Sequence, residues 1–407
     1  MRILHSSDWH LGQHFYHQSR AAEHRAFFAW LLHQIEVHQV DAVIVAGDIF
    51  DTATPPSYAR ALYNQFIVDM QRLGCQLLLL GGNHDSVAVL EESRELLACL
   101  NCRVIPGVEA DLRQHIILLQ DRQQQPAAVV CAIPYIRPRD VMTSQAGQSG
   151  AEKRISLQQA ISTHYQAVFE QAEQLRRQLD IDVPIIATGH LMTVDASSSD
   201  SVRDLYIGTL DAFPANAFPP ADYIALGHIH RPQVVAKSEH IRYSGSPIPL
   251  SFDELGQAKS VVMVDFDAAK VSKIKLLEVP VFQPMQQIKG DLEQIEAKLE
   301  TLRDASETIW LDIEVSSQDY LNDLQRRIDH LTADLPVEVL LLRRARRERH
   351  AIESVHKETL NELSVFDVFE RRLAQEDFDT EAQQARLRRI QQSFSNVVEE
   401  LKQVSPE

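Results

Sequence analysis

The sequence predicts an α/β protein in three parts, and three patterns carry that prediction. From residue 1 to 280, strand-length apolar runs alternate with amphipathic stretches. From 281 to 350 the alternation restarts on a smaller scale, and from 351 to 407 only helical periodicity remains. A chain of 407 residues is long enough for two or three domains. Its 44% hydrophobic and 24% charged content is that of a globular protein, and 14 Gly with 17 Pro exclude a collagen-like or disordered one.

The first part opens on a strand pattern, Arg2–His5, which leaves no room for a secretory leader. Further strands are expected at Ala42–Ala46, Gln76–Leu80, Val129–Pro134, Pro184–Thr188 and Tyr223–Leu226, most of them ending in Asp, His, Asn or Gly. Helices are expected from about Ala21 to Val37 and after the Pro55-Pro56 start. A hairpin of Ser260–Phe266 and Val271–Val279, turning through Asp267-Ala268-Ala269, closes this part. No run of about 18 apolar residues is present to span a membrane.

In the second part, a strand at Met285–Lys289 leads to Asp291 as a helix cap, followed by Leu292, Ile295, Leu299 and Leu302 on one helical stripe. A strand at Ile309–Val315, a helix carrying Leu321, Leu324, Ile328, Leu331 and Leu335, and a strand at Val337–Leu342 complete a βαβαβ module. The third part reads as two helices joined by the acidic link Gln375–Asp379. One carries Leu363, Phe366, Phe369 and Leu373, the other Leu387, Ile390, Phe394, Val397 and Leu401. Two short helices cannot bury that much apolar surface against each other, so a docking partner is expected.

The charge balance, 40 basic against 57 acidic residues or −17, disfavours a partner bound by phosphate neutralisation alone. Clustered Asp and His can hold divalent cations, however, and these invert the local field, so nucleic acid stays open as a substrate. Four cysteines, Cys75, Cys99, Cys102 and Cys131, are too few for a disulfide framework, which points to a reducing cytoplasm. Cys99-Leu100-Asn101-Cys102 lacks the second pair that a tetrahedral zinc site needs. It also closes a helix, whereas a reactive thiol is favoured at a helix start.

Five short motifs follow predicted strands in order: Asp8-Trp9-His10, Gly47-Asp48-Ile49-Phe50-Asp51, Gly82-Asn83-His84-Asp85, Gly189-His190 and Gly227-His228-Ile229-His230. Each alone has an ordinary explanation as a cap, a tight turn or a packing detail. Five in order, each closing a strand, mark one site, because ligands bind beyond the carboxyl ends of strands in an open α/β sheet. If extended, Asp8 and His10 point to one side, as do His228 and His230. Oxygen and imidazole donors without thiolate favour Mn²⁺, Fe or Zn²⁺. Two such ions about 3.5–4 Å apart suit phosphoester hydrolysis.

The series D-x-H, G-D-x-x-D, G-N-H-D, G-H and G-H-x-H resembles that of the calcineurin-like metallophosphoesterases. Tyr135–Asp140, Gly208–Pro214 and Gly245–Phe252 further resemble the nuclease subunits that act with SbcC-type ATPases. The resemblance implies a metallophosphoesterase β-sandwich flanked by helices (1–280), a small βαβαβ capping domain (281–350) and a C-terminal helical tail that binds the ATPase (351–407). It implies that Asp8, His10, Asp48 and His230 hold one metal. Asp48 bridges to a second, completed by Asn83, His190 and His228. His84 faces the scissile phosphate as donor or general acid, and Asp51 orients the catalytic histidine, with a supporting role of Asp85 behind the ligands as the alternative. It further implies two Mn²⁺ ions and a DNA substrate, with 3′–5′ exonuclease action on duplex ends and endonuclease action on single strands or hairpins, in end processing, repair and recombination.

The partners implied are an SbcC-type ATPase and a second copy, in a homodimer within a heterotetramer that meets near Tyr58–Gln71 and Leu90–Leu97. The setting implied is cytoplasmic and nucleoid-associated. Phe366, Phe369, Leu373, Phe394, Val397 and Leu401 are the expected ATPase contacts. Arg137, Arg139, Arg203 and Arg242 are the expected phosphate contacts, with the basic run Arg343–Arg349 serving either as another or as a solvated face. His14, His17, His33 and His38 are expected on the surface or in the core. Two other functions remain open. A small-substrate phosphodiesterase or phosphatase needs neither module nor tail, and a non-catalytic scaffold would have lost ligands, whereas this chain keeps all seven and His84.

Overall fold

The computed structural model describes residues 1–142, 149–194, 212–316 and 323–344, with only Arg389 and Phe394 beyond them. Its contacts divide the chain into Met1–Ala345 and Arg346–Glu407, and the fold below is that of the first unit. Arg203, Leu321, Arg346–Arg349 and the tail residues Phe366, Phe369, Leu373, Val397 and Leu401 lie outside the described residues.

Two six-stranded sheets form the larger part. The first runs Lys270–Glu278, Ser260–Asp267, Arg2–Ser6, Ala42–Val45, Gln76–Leu80 and Cys102–Ile105 from edge to edge. Its last four strands are parallel, Ser260–Asp267 of the closing hairpin is antiparallel to them, and Lys270–Glu278 is antiparallel to Ser260–Asp267 in turn. The second runs Gln233–Val235, Ser238–Tyr243, Tyr223–Gly227, Ile185–His190, Pro126–Cys131 and Ile116–Gln120, with four parallel strands inside two antiparallel edges.

Alternation along each strand sends successive residues to opposite faces. Ile3, Ala42, Ile44, Leu78 and Leu80 of the first sheet share one buried cluster with Val130, Ile186, Tyr223 and Ala225 of the second. The opposite residues, Leu4, Val43, Val45, Leu77 and Leu79, pack on Phe27, Leu31 and Ile35 of helix Ala21–His38 and on Phe66, Ile67 and Met70 of helix Ser57–Arg72. With both faces covered, these strands read as unbroken apolar runs. Behind the second sheet lies helix Gly150–Leu179, whose Leu157, Ile161, Tyr165, Val168 and Ala172 meet Val129, Ile185 and Ile224. Ser149 and Glu152 form a capping box that starts it.

The three-stranded parallel sheet Met285–Gly290, Ile309–Val315 and Val337–Arg344 has its own core of Ile288, Ile295, Leu299, Leu311, Ile313 and Ile328. Asp291 caps helix Leu292–Glu300, accepting the Gln294 N–H at 2.9 Å. This module packs on the first part through Trp310 and Leu340, which meet Phe15 and Phe252, with Phe15 and Trp310 stacked at 5.8 Å. Arg343, at the start of the basic run, is engaged inside the module by the buried Asp312, its Nε lying 3.1 Å from Oδ1. The four cysteines form no disulfide, and Cys102 is buried in a strand while Cys99 is exposed.

Candidate metal centre

The loops that carry the five motifs leave the carboxyl ends of parallel strands, three in the first sheet and two in the second. They are laced together: the Asp8 N–H donates to the Gly47 carbonyl at 3.0 Å and the His10 N–H to the Asp48 carbonyl at 3.0 Å. Between Asp8 and His10, the fully buried Trp9 inserts among Phe27, Phe28 and Phe66 with ring centroids 5.0–6.2 Å away. Anchoring Trp9 in the core fixes the residue on either side of it.

The extended geometry expected for Asp8-Trp9-His10 and His228-Ile229-His230 does not occur. Asp8 (φ 54°), His10 (φ 47°), Asp48 (φ 51°) and His228 (φ 95°) adopt positive φ, which bends the chain sharply enough to turn each side chain into the cleft. Such backbone costs on the order of 1–3 kcal/mol per residue and concentrates at functional sites. Gly47 is required by crowding: at φ 91°, a Cβ there would lie 2.2 Å from His190 Nδ1, which donates to the Ala46 carbonyl at 2.8 Å.

Three groups of potential ligand atoms converge: Asp8, His10 and His230; His10, Asp48 and His84; and Asp48, His190 and His228. Asp48 belongs to two of them. Its Oδ2 stands 3.2 Å from His190 Nε2 and 3.6 Å from His10 Nε2, while its Oδ1 accepts the His84 N–H at 2.9 Å. Asn83 Oδ1 lies 2.8 Å from His190 Nε2, and Asp8 Oδ1 accepts the His228 N–H at 2.9 Å. His84 is 8% exposed against 2% or less for the charged ligand candidates, so it is the side chain best placed to meet a substrate.

The imidazoles share one device. Nδ1 of His190 meets the Ala46 carbonyl, that of His84 the Asp51 carbonyl at 2.7 Å, that of His10 Asp51 Oδ1 at 3.2 Å and that of His230 Glu254 Oε1 at 3.3 Å. In the neutral ring, an Nδ1–H so held makes Nε2 the lone-pair nitrogen. Asp51 therefore serves two histidines, His84 through its main chain and His10 through its carboxylate. Asp85 accepts the N–H groups of Ile49 (3.1 Å), Phe50 (2.9 Å) and Gly82 (2.8 Å), tying the Asp48 loop to the Asn83 loop. Burial, reinforced by Asp48, pushes its carboxyl up to about 6 against those three hydrogen bonds.

Electrostatics supply the test of fit to metal. Burial alone would depress His190, but the Asp48 carboxylate outweighs it and raises the imidazole to about 9. Burial would raise Asp48, yet His190 and then His10 hold its carboxyl well below the usual range. Burial followed by the neighbouring His190 pushes His228 far down. Around Asp48 the site thus favours positive charge, of the kind that a bound cation would supply. His10 Nε2 is buried without a hydrogen-bond partner, the signature of an atom built to coordinate. Carboxylate, amide and imidazole donors without thiolate fit Mn²⁺, Fe or Zn²⁺.

The arginines expected to touch phosphate are placed differently from one another. Arg137 lies over the Tyr135 ring at 5.8 Å, and that ring is 6.4 Å from His190, so Arg137 borders the site. Arg139 has an 81% exposed side chain, 3.8 Å from Asp140. Arg242 is bonded to Glu239 of its own strand and its side chain is 12% exposed, which commits it locally. Of the tail contacts, only Phe394 is described, as a half-buried helical residue. Glu254 was not singled out from the sequence, although it lies two residues beyond the Gly245–Phe252 motif.

Comparison with known families and proteins agrees with this geometry. Residues 1–232 match the family described as calcineurin-like phosphoesterase, and residues 281–377 match the type 5 capsule protein repressor C-terminal domain. The chain is 57% identical over 393 residues to the SbcD subunit of nuclease SbcCD from Escherichia coli strain K12, covering 96% of each. It is 37% identical over 276 residues to the protein of that name from Rhodobacter capsulatus, covering 65% of this chain and 66% of the other. With the Bacillus subtilis protein it shares 29% over 336 residues, or 80% and 82% of the two chains. A β-glucosidase structure from Exiguobacterium marinum aligns over 84% of this chain and 88% of that one at a TM-score of 0.24 and 10% identity, which carries no argument.

Proposed function

The chain belongs to the SbcD nuclease family of calcineurin-like phosphoesterases, and from that premise we propose that it is a two-metal DNA nuclease acting with an SbcC-type ATPase. The observation that carries this function is the place of Asp48, whose carboxylate reaches both His190 and His10 and so belongs to two ligand groups at once.

In the proposed arrangement, Asp8, His10, Asp48 and His230 hold the first metal, and Asp48, Asn83, His190 and His228 hold the second. When bound, the pair lowers the pKa of an attacking water and stabilises the oxygens of a phosphoryl displacement. Of the ions that the donor set fits, Mn²⁺ is the one that the family resemblance favours. The protein's own part is to orient and to move a proton. His84, its Nδ1–H fixed on the Asp51 carbonyl, would take up a second proton at Nε2 and, as the imidazolium, donate it to the leaving oxygen. Arg137, braced on Tyr135, meets the phosphate backbone of the substrate at the edge of the cleft, with Arg139 and Arg203 as further contacts.

The finer organisation is proposed as a metallophosphoesterase β-sandwich at 1–280, a capping domain at 281–350 and an ATPase-binding helical segment at 351–407. Support comes from the module's separate core and from the apolar stripes of the tail sequence. The substrates are duplex ends, cut 3′–5′, and single strands or hairpins, cut internally. Two copies meet through Tyr58–Gln71 and Leu90–Leu97 within a heterotetramer, where Leu96 is 67% exposed. No helix among the described residues is long and apolar enough to cross a membrane. The proposed DNA substrate is what supports a cytoplasmic, nucleoid-associated setting.

The test is direct. Purified protein with Mn²⁺ is given labelled duplex DNA and, separately, a small phosphomonoester. Degradation of the DNA alone supports the nuclease. Hydrolysis of the monoester alone makes the protein a phosphatase, and hydrolysis of neither makes it a scaffold.

A further inference from the structure

His230 is gripped at three points by one short stretch of chain. Its carbonyl oxygen accepts the Ser246 N–H at 3.1 Å and the Lys259 Nζ at 2.9 Å, and its ring Nδ1 faces Glu254 Oε1 at 3.3 Å. Glu254 is fully buried and Lys259 is 5% exposed. Their ion pair closes at 2.5 Å between Nζ and Oε2, and Lys259 also donates to Ser246 Oγ at 2.9 Å. The two oxygens of Glu254 divide the work. Oε2 takes the lysine and the Leu250 N–H (3.0 Å), while Oε1 takes the Ser251 hydroxyl (3.2 Å) and looks at His230.

The local chain is built for this approach. Gly245 has φ 77°, and a Cβ there would sit 2.7 Å from Pro232 and 2.8 Å from the His230 carbonyl oxygen, so only glycine lets the segment lie against the histidine loop. Phe252, in the same short helical turn as Glu254, is locked in the cluster with Phe15, Trp310 and Leu340, which fixes the carboxylate from the other side.

Burying a lysine and a glutamate together is a weak way to gain stability, because the desolvation of both charges offsets most of their attraction. What the pair gives here is direction. The carboxylate selects the His230 tautomer protonated at Nδ1, leaving the lone pair on Nε2, and the lysine cancels the added negative charge so that the site's net charge is unchanged.

Resting on the two-metal function above, we infer that Glu254 is a positioning residue for the first metal, aiming His230 through its ring nitrogen, and that Lys259 holds Glu254 and the His230 main chain in register. The segment Gly245–Lys259 is thereby a clamp on one ligand, whereas His10 and His190 are aimed from elsewhere.

The experiment is calorimetric titration of the full chain with Mn²⁺, alongside thermal unfolding of the metal-free protein and steady-state DNA cleavage. The chains compared are wild type, Glu254→Gln, which keeps an acceptor oxygen for His230, and the double variant Glu254→Met with Lys259→Met, which keeps none. The double variant removes both buried charges while keeping their volume, so loss of folding is separated from loss of aim. The expected result is a double variant that melts within a few degrees of wild type. One of its two Mn²⁺ sites weakens about 10–100-fold, its other site is unchanged, and its kcat falls with little change in KM for DNA. Wild-type Mn²⁺ affinity at both sites in a folded double variant overturns the inference, leaving the pair a structural one. Equal weakening of both sites, or an unfolded double variant, also overturns it. Failure of the wild type to bind two Mn²⁺ overturns the two-metal function itself, and this inference with it.

Discussion

His84 donates from Nδ1 to the main-chain carbonyl of Asp51 across 2.7 Å, while the carboxylate of Asp51 lies against His10 at 3.2 Å. The two contacts separate functions that a single sequence position would otherwise merge. His84→Gln is expected to lower kcat by about 10²–10⁴ with Mn²⁺ stoichiometry and DNA affinity unchanged. Asp51→Ala keeps the carbonyl and so keeps His84 aimed. Its expected lesion is weaker Mn²⁺ binding at the site that includes His10, read by titration. Loss of metal from His84→Gln would make His84 a ligand.

Asp85 holds two ligand loops by accepting three main-chain N–H groups inside the protein. Asp85→Ala leaves those donors buried and unmatched, at roughly 1–3 kcal/mol each. Urea unfolding of the metal-free protein is expected to show a loss of about 3–5 kcal/mol, among the larger effects of single substitutions. A loss under about 1 kcal/mol would mean that the loops are held by other contacts.

His24 supplies a pH dependence directly behind the Asp8-Trp9-His10 loop. It is fully buried, its Nε2 donates to the Trp9 carbonyl at 2.8 Å, and burial followed by the nearby Arg20 pushes its imidazole down to about 3. The unfolded chain takes up a proton at His24 near pH 6.5, and the folded chain resists it until about 3. Its contribution is therefore intact above pH 6.5 and is lost as pH falls, at about 1.4 kcal/mol per unit. His24→Gln keeps a donor but cannot titrate. Between pH 7 and 5 its stability relative to wild type should improve by about 2 kcal/mol in denaturant titrations. Parallel curves for the two proteins would show that His24 is protonated in the fold.

The tail is expected to be separable from catalysis. Removing residues from Ser354 onward should leave a folded, Mn²⁺-dependent nuclease that no longer co-purifies with the ATPase. The expectation rests on the proposal that the apolar stripes of Phe366, Phe369 and Leu373, and of Phe394, Val397 and Leu401, dock in a groove of the ATPase. Aggregation or inactivity of the truncated chain would place those stripes in the core.

Much of this was legible in the sequence because burial on both faces leaves strands such as Ala42–Val45 and Gln76–Leu80 as unbroken apolar runs. The ligand motifs were legible because each interrupts such a run with Asp, Asn or His. Some edge strands of the two larger sheets were not. Cys102–Ile105 and Ile116–Gln120 are short and one of them is mostly half-buried, so their patterns are faint. Helix Gly150–Leu179 shows its stripe and its Ser149/Glu152 capping box once found, but its polar face dilutes the apolar signal below that of a strand. The positive φ of Asp8, His10, Asp48 and His228 had no sequence signature beyond the tolerance of Asp and His for that region, and assuming extended chain there gave the wrong local path. Glu254 and Lys259 were invisible for another reason: their roles depend on a contact with His230 across 24 and 29 positions of chain.

The bridging place of Asp48 is the claim on which the two-metal function stands, and metal content measures it most directly. Wild type and Asp48→Ala, each loaded with Mn²⁺ and freed of unbound ion, are compared by elemental analysis. Two tightly held ions per wild-type chain and depletion of both positions in Asp48→Ala are expected, because one carboxylate serves both ions and screens their repulsion. Retention of two tightly bound ions by Asp48→Ala would contradict it.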